Sequence, residues 1–315
     1  MNTRYFSIAF SIIVATVLAQ TSVADGAGIS EQIAKLKVAA PTQEMVADLN
    51  LDPFYTKALD LGGFTIVGND KVDDHAFRET AYIVKQMLQN RPDAIQKLAE
   101  NHVRFVLIDY TEFVTQMPEY SDMKPAKFWD RRARGLGPNH QRPAVSCGEE
   151  NVLRYPGDPY HQESILVHEF AHAIMDMALV DLDPEFKPRL VAAYDDAMAK
   201  GLWKDKYAAN NVHEYWAEGV QSFFDDNREP DHDHNHVNTR EELTEYDPVL
   251  ADIIMEQLGD IDWKYAKPAA RAASENIHLA GYDPATAPTF AWPQELLDWY
   301  ANYQEEQKAK KKEEG

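Results

Sequence analysis

The chain has 315 residues, with 52 acidic against 31 basic side chains and a formal charge of −21. That balance excludes nucleic acid and anionic membrane as partners, because both require a positive surface that releases counterions or meets headgroups. The composition, 44% hydrophobic and 26% charged, is that of a globular protein with a packed core.

Residues 1–24 read as a secretory signal peptide. Arg4 supplies the basic start, an apolar run spans 5–19, and Ser22-Val23-Ala24 places small residues before a cleavage point at Asp25. The run is shorter than the roughly 20 residues that cross a bilayer, so the expectation is a secreted or periplasmic protein with no stable membrane insertion. Removal of Arg4 leaves the rest of the chain slightly more acidic. A single cysteine, Cys147, rules out an intramolecular disulfide and any thiolate zinc cluster, so a metal must be held by His, Asp and Glu.

Residues 25–60 form an N-terminal helical segment, with Ile33, Leu36, Val46 and Leu49 at helical spacing and a break at Pro41. Gly62-Gly63 precede a strand over 64–67, and 76–98 predict two helices divided at Pro92. The run 103–108 is nearly all apolar, the pattern of a strand inside a sheet. A loop rich in Gly, Pro and Arg covers 125–143, and short strands are expected at 144–146 and 151–153. Pro156-Gly157-Asp158-Pro159 then punctuates the chain before a long helix at about 161–180. The segment 263–315 reads as a C-terminal extension with a helix from 293 to about 307 and a solvated, frayed charged tail from Lys308. Trp292 and Trp299 are read there as core or docking residues.

The long helix contains His168-Glu169-Phe170-Ala171-His172, an H-E-x-x-H sequence. Residues four apart on a helix lie one turn above each other, so both imidazoles can face one metal ion. Glu169 lies beside the first of them, about 100° round the helix, where it reaches a metal-bound water without ligating. The flanks Ile165, Leu166, Val167, Phe170, Ala171, Ala173 and Ile174 are uncharged, which places the helix in the interior. Two imidazoles and a carboxylate there are costly to desolvate unless something pairs them.

A second helix opens near Asn210 or Asn211, either of which suits an N-cap. Glu214 and Glu218 follow, four apart on one face. One could complete the metal's shell while the other holds an imidazole by its far nitrogen. Two His and one Glu with an open fourth position is a catalytic zinc arrangement. Asn211-Val212-His213-Glu214 also matches a capping box, in which Glu214 would bond back to the Asn211 amide.

Tyr207, with Glu214 seven residues on inside Glu214-Tyr215-Trp216-Ala217-Glu218, downstream of H-E-F-x-H, resembles the catalytic domain of the anthrax lethal factor type of zinc metallopeptidase, a gluzincin. The resemblance covers 161–224. It implies His168, His172 and Glu214 as ligands of Zn²⁺ and Glu169 as general base. It also implies Tyr207 as the phenol that stabilises the oxyanion or protonates the leaving amine; with Glu214 a ligand, the shared helix face leaves Glu218 the outer position, or that of a solvated helix charge. The expectation is an α+β, zincin-like fold with a small mixed sheet, an active-site helix and additional terminal helices. The catalytic domain occupies 61–262, with an edge strand available to an extended peptide or protein substrate. The rival readings are a zinc hydrolase acting on a non-protein amide or glycoconjugate, and a secreted binding protein whose zinc site is vestigial or structural.

The tract Asp231-His232-Asp233-His234-Asn235-His236 imitates part of a calcium loop, but His236 stands where the turn requires Gly. It reads as a solvated loop, with a second metal or a substrate contact as the alternative. Cys147 reads as a small buried residue, and His161 and His213 as hydrogen-bonded structural histidines. The acidic surplus would bias substrate choice towards basic or neutral chains.

Overall fold

The computed structural model describes residues 26–314. The signal peptide expected at 1–24 lies outside the described residues. Helices α1 (Gly26–Ala34) and α2 (Gln43–Leu49) flank the break at Pro41, and the Thr42 side chain caps α2 by accepting from the Met45 amide. Strand β1 (Lys57–Leu61) follows and spans the boundary drawn at residue 60. It turns through Gly62 and Gly63, both at positive φ, into β2 (Phe64–Gly68). Helices α3 (Asp74–Met87) and α4 (Pro92–Glu100), with Pro92 at the start of the second, lead to β3 (Arg104–Ile108).

The loop expected over 125–143 instead contains helix α5 (Ala126–Arg132) and a two-residue strand, β4 (Gly135–Leu136). Strand β5 (Ala144–Gly148) is followed by helix α6 (Glu149–Val152), where a strand had been expected at 151–153. Glu149 and Glu150 in its first turn suit a helix N-terminus, and burial of all four residues hides any amphipathic signal.

The motif helix α7 (Ile165–Ile174) starts four residues later than expected. Asp158 folds the preceding residues into a turn by accepting from the Tyr160 amide, and the Ser164 amide is taken by the Asp226 carboxylate. A π-helical turn, Met175–Leu179, carries α7 into α8 (Val180–Leu182). Then come α9 (Phe186–Ala199), α10 (Val212–Phe223), α11 (Arg240–Tyr246), α12 (Pro248–Leu258) and α13 (Gln294–Glu314). The last continues through the lysines that had been read as a frayed tail. Among the described residues no helix is long and apolar enough to cross a membrane.

The five strands form one mixed sheet in the order β1-β2-β3-β5-β4. The central pairs β2/β3 and β3/β5 are parallel, while β1/β2 and β4/β5 are antiparallel. Both faces are covered, and side chains alternate between them. Ile66, Phe105, Leu107, Val145 and Cys147 join the core beneath the helices, whereas Val67, Val106, Ile108 and Ala144 pack with Leu49, Met117 and Tyr120 on the other side. This explains the apolar run Phe105–Ile108 of β3.

Helix α7 lies on the sheet through Phe170, whose ring centroid is 5.7 Å from that of Phe64. Helix α10 is fixed across it by Trp216, whose indole N–H donates to the Ala171 carbonyl at 2.9 Å. The C-terminal segment packs into the same core. Glu79 on α3 is fully buried between Arg271 and His278, and His278 also bonds Ser30 of α1 at 2.7 Å. Helix α13 lies on α5, with Phe128 against Tyr300 and Tyr303. Trp292 stacks on Phe113 and Trp299 on Tyr303.

Candidate metal centre and cleft

Helical spacing sets His168 and His172 one above the other on α7, with their Nε2 atoms 3.2 Å apart. The third donor comes from α10. Asn211 is its N-cap, its side chain accepting from the His213 and Glu214 amides at 2.9 and 3.1 Å. The Glu214 carboxylate turns away from the cap, with Oε2 3.2 Å from His168 Nε2 and 3.5 Å from His172 Nε2.

Donors about 2.0–2.1 Å from a tetrahedral centre lie about 3.3 Å from one another. The three observed separations, 3.2, 3.2 and 3.5 Å, are close to that edge. The side chains therefore fit a metal ion bound by two imidazoles and one carboxylate. Among the described residues this is the one such group of His, Cys, Asp or Glu side chains that gathers so closely.

Electrostatics bind the cluster together. Burial alone would raise the Glu214 carboxyl, but hydrogen bonds from His168 and His172 outweigh it and hold the group well below the usual carboxylate range. Burial opposes charge on His168, yet Glu214, Glu169 and Glu218 together lift it well above the ordinary imidazole value. Glu169 moves the other way: its burial raises the carboxyl, and the two imidazoles offset this only in part. Burial and the nearby Glu214 push the Tyr207 phenol up to about 12 against the pull of Arg132, so it stays protonated as a donor.

Glu218 was expected to hold one of the two ligand imidazoles by its far nitrogen, and at His168 a second residue stands closer. Gln221 Oε1 lies 2.7 Å from His168 Nδ1, whereas Glu218 Oε1 is 3.6 Å away. Gln221 is itself held by Glu163, to which its amide donates at 3.1 Å. Glu218 instead accepts from Asn227 at 3.0 Å and lies 3.4 Å from His234 Nε2. Gln221 stands seven residues after Glu214, on the same helix face, and that spacing was the signal available for it.

The 231–236 tract divides. His232 is exposed, while His234 is buried against Glu218 and Asp231. The Asp233 carbonyl accepts from the Tyr207 amide at 2.8 Å and so seats that residue at the cluster. Asp231 folds the tract by accepting from the amides of Asp233 and His234. His213 bonds Asp176 at 2.9 Å, and His161 is exposed. Cys147 is buried in β5, and burial raises its thiol well above the ordinary value.

Above the cluster lies a cleft with two lobes. Arg132, Gly135, His168, Glu169 and Tyr207 line both. One lobe, of about 560 Å³, extends past Arg131, Tyr160, Arg228, His234 and Tyr300. The other, of about 340 Å³, is walled by Phe128, Trp129, Leu136 and Gly137. The wall formed by β4 is pressed onto α7. A Cβ on Gly135 would stand 2.5 Å from Ile165 Cγ2 and 3.1 Å from Glu169 Cγ, and one on Gly137 would stand 2.9 Å from His172 Cβ. Arg131 and Arg132 had not been anticipated at the site, whereas His234 belongs to the tract for which a substrate contact was the alternative reading. The local signal was a basic run, Arg131-Arg132-Ala133-Arg134, in an otherwise acidic chain.

Fold and site together define an α+β protein with a half-buried donor set of two histidines and one glutamate, able to hold a metal ion at the floor of a cleft. No protein-family model and no curated protein matches the chain. Among solved structures, it is similar to the PRO-PRO endopeptidase PPEP-2 from Paenibacillus alvei. The two are 16% identical, with a TM-score of 0.42, and the match covers 61% of this chain and 96% of that one.

Proposed function

We propose that this protein is an exported zinc metallopeptidase with a zincin-like catalytic region at 61–262, in which His168, His172 and Glu214 are the zinc ligands. The carrying observation is the triangle of donor atoms with edges of 3.2, 3.2 and 3.5 Å at the floor of an open cleft, with Glu169 beside it. The chemistry zinc supplies at such a donor set is acidification of a water and polarisation of a carbonyl oxygen.

The chain's own residues supply the rest. Glu169, its carboxyl raised by burial, takes the proton of the attacking water as the new C–O bond forms, and returns it to the amine nitrogen as the C–N bond breaks. Tyr207 donates its phenolic hydrogen to the developing oxyanion. Gln221 fixes the ring orientation of His168 through Nδ1. Both lobes of the cleft border His168 and Glu169, which leaves room for a chain running past the scissile bond.

The deciding experiment is Glu169→Gln. The variant is expected to retain stoichiometric zinc by elemental analysis and to lose about 10²–10⁴-fold in turnover of a mixed peptide library. Hydrolysis at the parent rate would overturn the assignment.

A further inference from the structure

We propose that the larger lobe of the cleft is a carboxylate-binding subsite, in which Arg131 and Arg132 receive an anionic group of the substrate close to the bond that is cleaved. The inference rests on the hydrolase reading above for its substrate, and on the lobe's own side chains for its chemistry.

Four arginines line the lobe, and two of them are committed elsewhere. Arg134 is fully buried and forms a two-pronged pair with Glu150, at 2.5 and 2.9 Å. Arg228 pairs with Asp231 and lies 3.6 Å from Glu163. Arg131 and Arg132, by contrast, have no carboxylate at ion-pair distance among the described residues. The Arg131 guanidinium lies over the rings of Trp292 and Tyr300, at 4.8 and 5.4 Å from their centroids. Its Nε is buried without a hydrogen-bond partner. Stacking satisfies the faces of a guanidinium and leaves its in-plane N–H donors for an acceptor, and a carboxylate is the acceptor that fits them. Arg132 is solvent-exposed, stands beside the Tyr207 phenol, and lines both lobes next to the metal cluster.

Of the four acidic side chains that line the same lobe, Glu169 beside the metal cluster feels Arg132 without pairing with it, and the other three are engaged elsewhere. Glu163 holds Gln221, Glu218 holds Asn227 and His234, and Asp233 is paired with His232. A chain of net charge −21 thus keeps at its cleft two cations with no carboxylate at ion-pair distance among the described residues. The lobe therefore favours acidic substrates, against the preference for basic or neutral chains that bulk charge suggests. The anionic group is either an Asp or Glu side chain or the substrate's own C-terminal carboxylate.

The test uses the full chain, stripped of metal by chelator, and three dansylated pentapeptides: central Glu with an amidated end, central Gln with an amidated end, and central Gln with a free carboxylate. Fluorescence anisotropy is expected to show at least one acidic peptide binding about tenfold tighter than the neutral one. That preference should fall below about threefold in both Arg131→Gln and Arg132→Gln. Which acidic peptide gains identifies the source of the carboxylate. Equal binding of all three peptides, or a preference that survives both substitutions, overturns the subsite. Hydrolysis by the zinc-loaded chain separates the two readings. Cleavage of neutral and acidic peptides alike, with unchanged ratios in the variants, overturns the subsite and leaves the peptidase standing. Acid-selective binding with no hydrolysis of any peptide overturns the peptidase and leaves the subsite standing.

Discussion

His168 is the residue on which the centre turns, because both of its ring nitrogens are engaged: Nε2 faces Glu214 and His172, and Nδ1 faces Gln221. The Gln221 oxygen makes Nδ1 the protonated nitrogen and leaves Nε2 as the donor atom a metal requires. Gln221→Leu is therefore expected to weaken zinc binding about 10–100-fold, measured by competition with a chromophoric chelator, while the fold stays intact by circular dichroism. A variant with parental affinity would remove Gln221 from the centre. At this scale the motif was legible, because i and i+4 spacing on a helix places both imidazoles together whatever the tertiary structure. Glu214 was legible as one of two acids on a shared face. Gln221 was not, because the partner of a histidine's second nitrogen depends on how α10 crosses α7, which is set by contacts such as Trp216 to Ala171. The arginines escaped because net charge averages over the whole chain and a cleft does not.

Among the elements, the contact between β4 and α7 is the tightest constraint on the site. Gly135 pairs with Cys147 in β5 while leaving no room for a side chain against Ile165 and the Ser146 carbonyl. Gly135→Ala is expected to push β4 off the helix, costing about 1–3 kcal/mol in urea unfolding and reducing activity beyond that loss of folded protein. Unchanged stability and activity would show that the wall yields freely. The long, strongly patterned elements α3, α4 and β3 could be read from the sequence because burial on one or both faces leaves a period. Strand β4 has two residues and α6 four, too few for any period, and α5 lies in a stretch whose Pro and Arg content reads as loop. The start of α7 was displaced by the Asp158 turn, a side-chain to backbone bond that competes with the first helical turn.

Across the whole molecule, the buried group formed by Glu79, Arg271, His278 and Ser30 joins α1, α3 and the C-terminal segment. Burial would raise the Glu79 carboxyl, but Arg271 and His278 outweigh it and bring the group down to about 2 from 4.5. The unfolded chain thus binds a proton at higher pH than the folded one. The resulting stabilisation is complete above about pH 5 and is lost as pH falls towards 2. Glu79→Gln leaves Arg271 buried beside a neutral amide and is expected to cost about 3–5 kcal/mol near pH 7. The gap from the parent should narrow at pH 3, as followed by urea denaturation at each pH. A gap independent of pH would remove Glu79 from the acid response. These links between distant segments were invisible in the sequence, where 263–315 reads as an appendage because its buried residues are scattered among short turns. The seating of α13 on α5 carries a further consequence. The donor atoms belong to α7 and α10, whereas Arg131 and Arg132 sit on α5, which is backed by α13. Substitutions along α13 would thus reach the arginine lobe through α5 while leaving the three donor atoms in place.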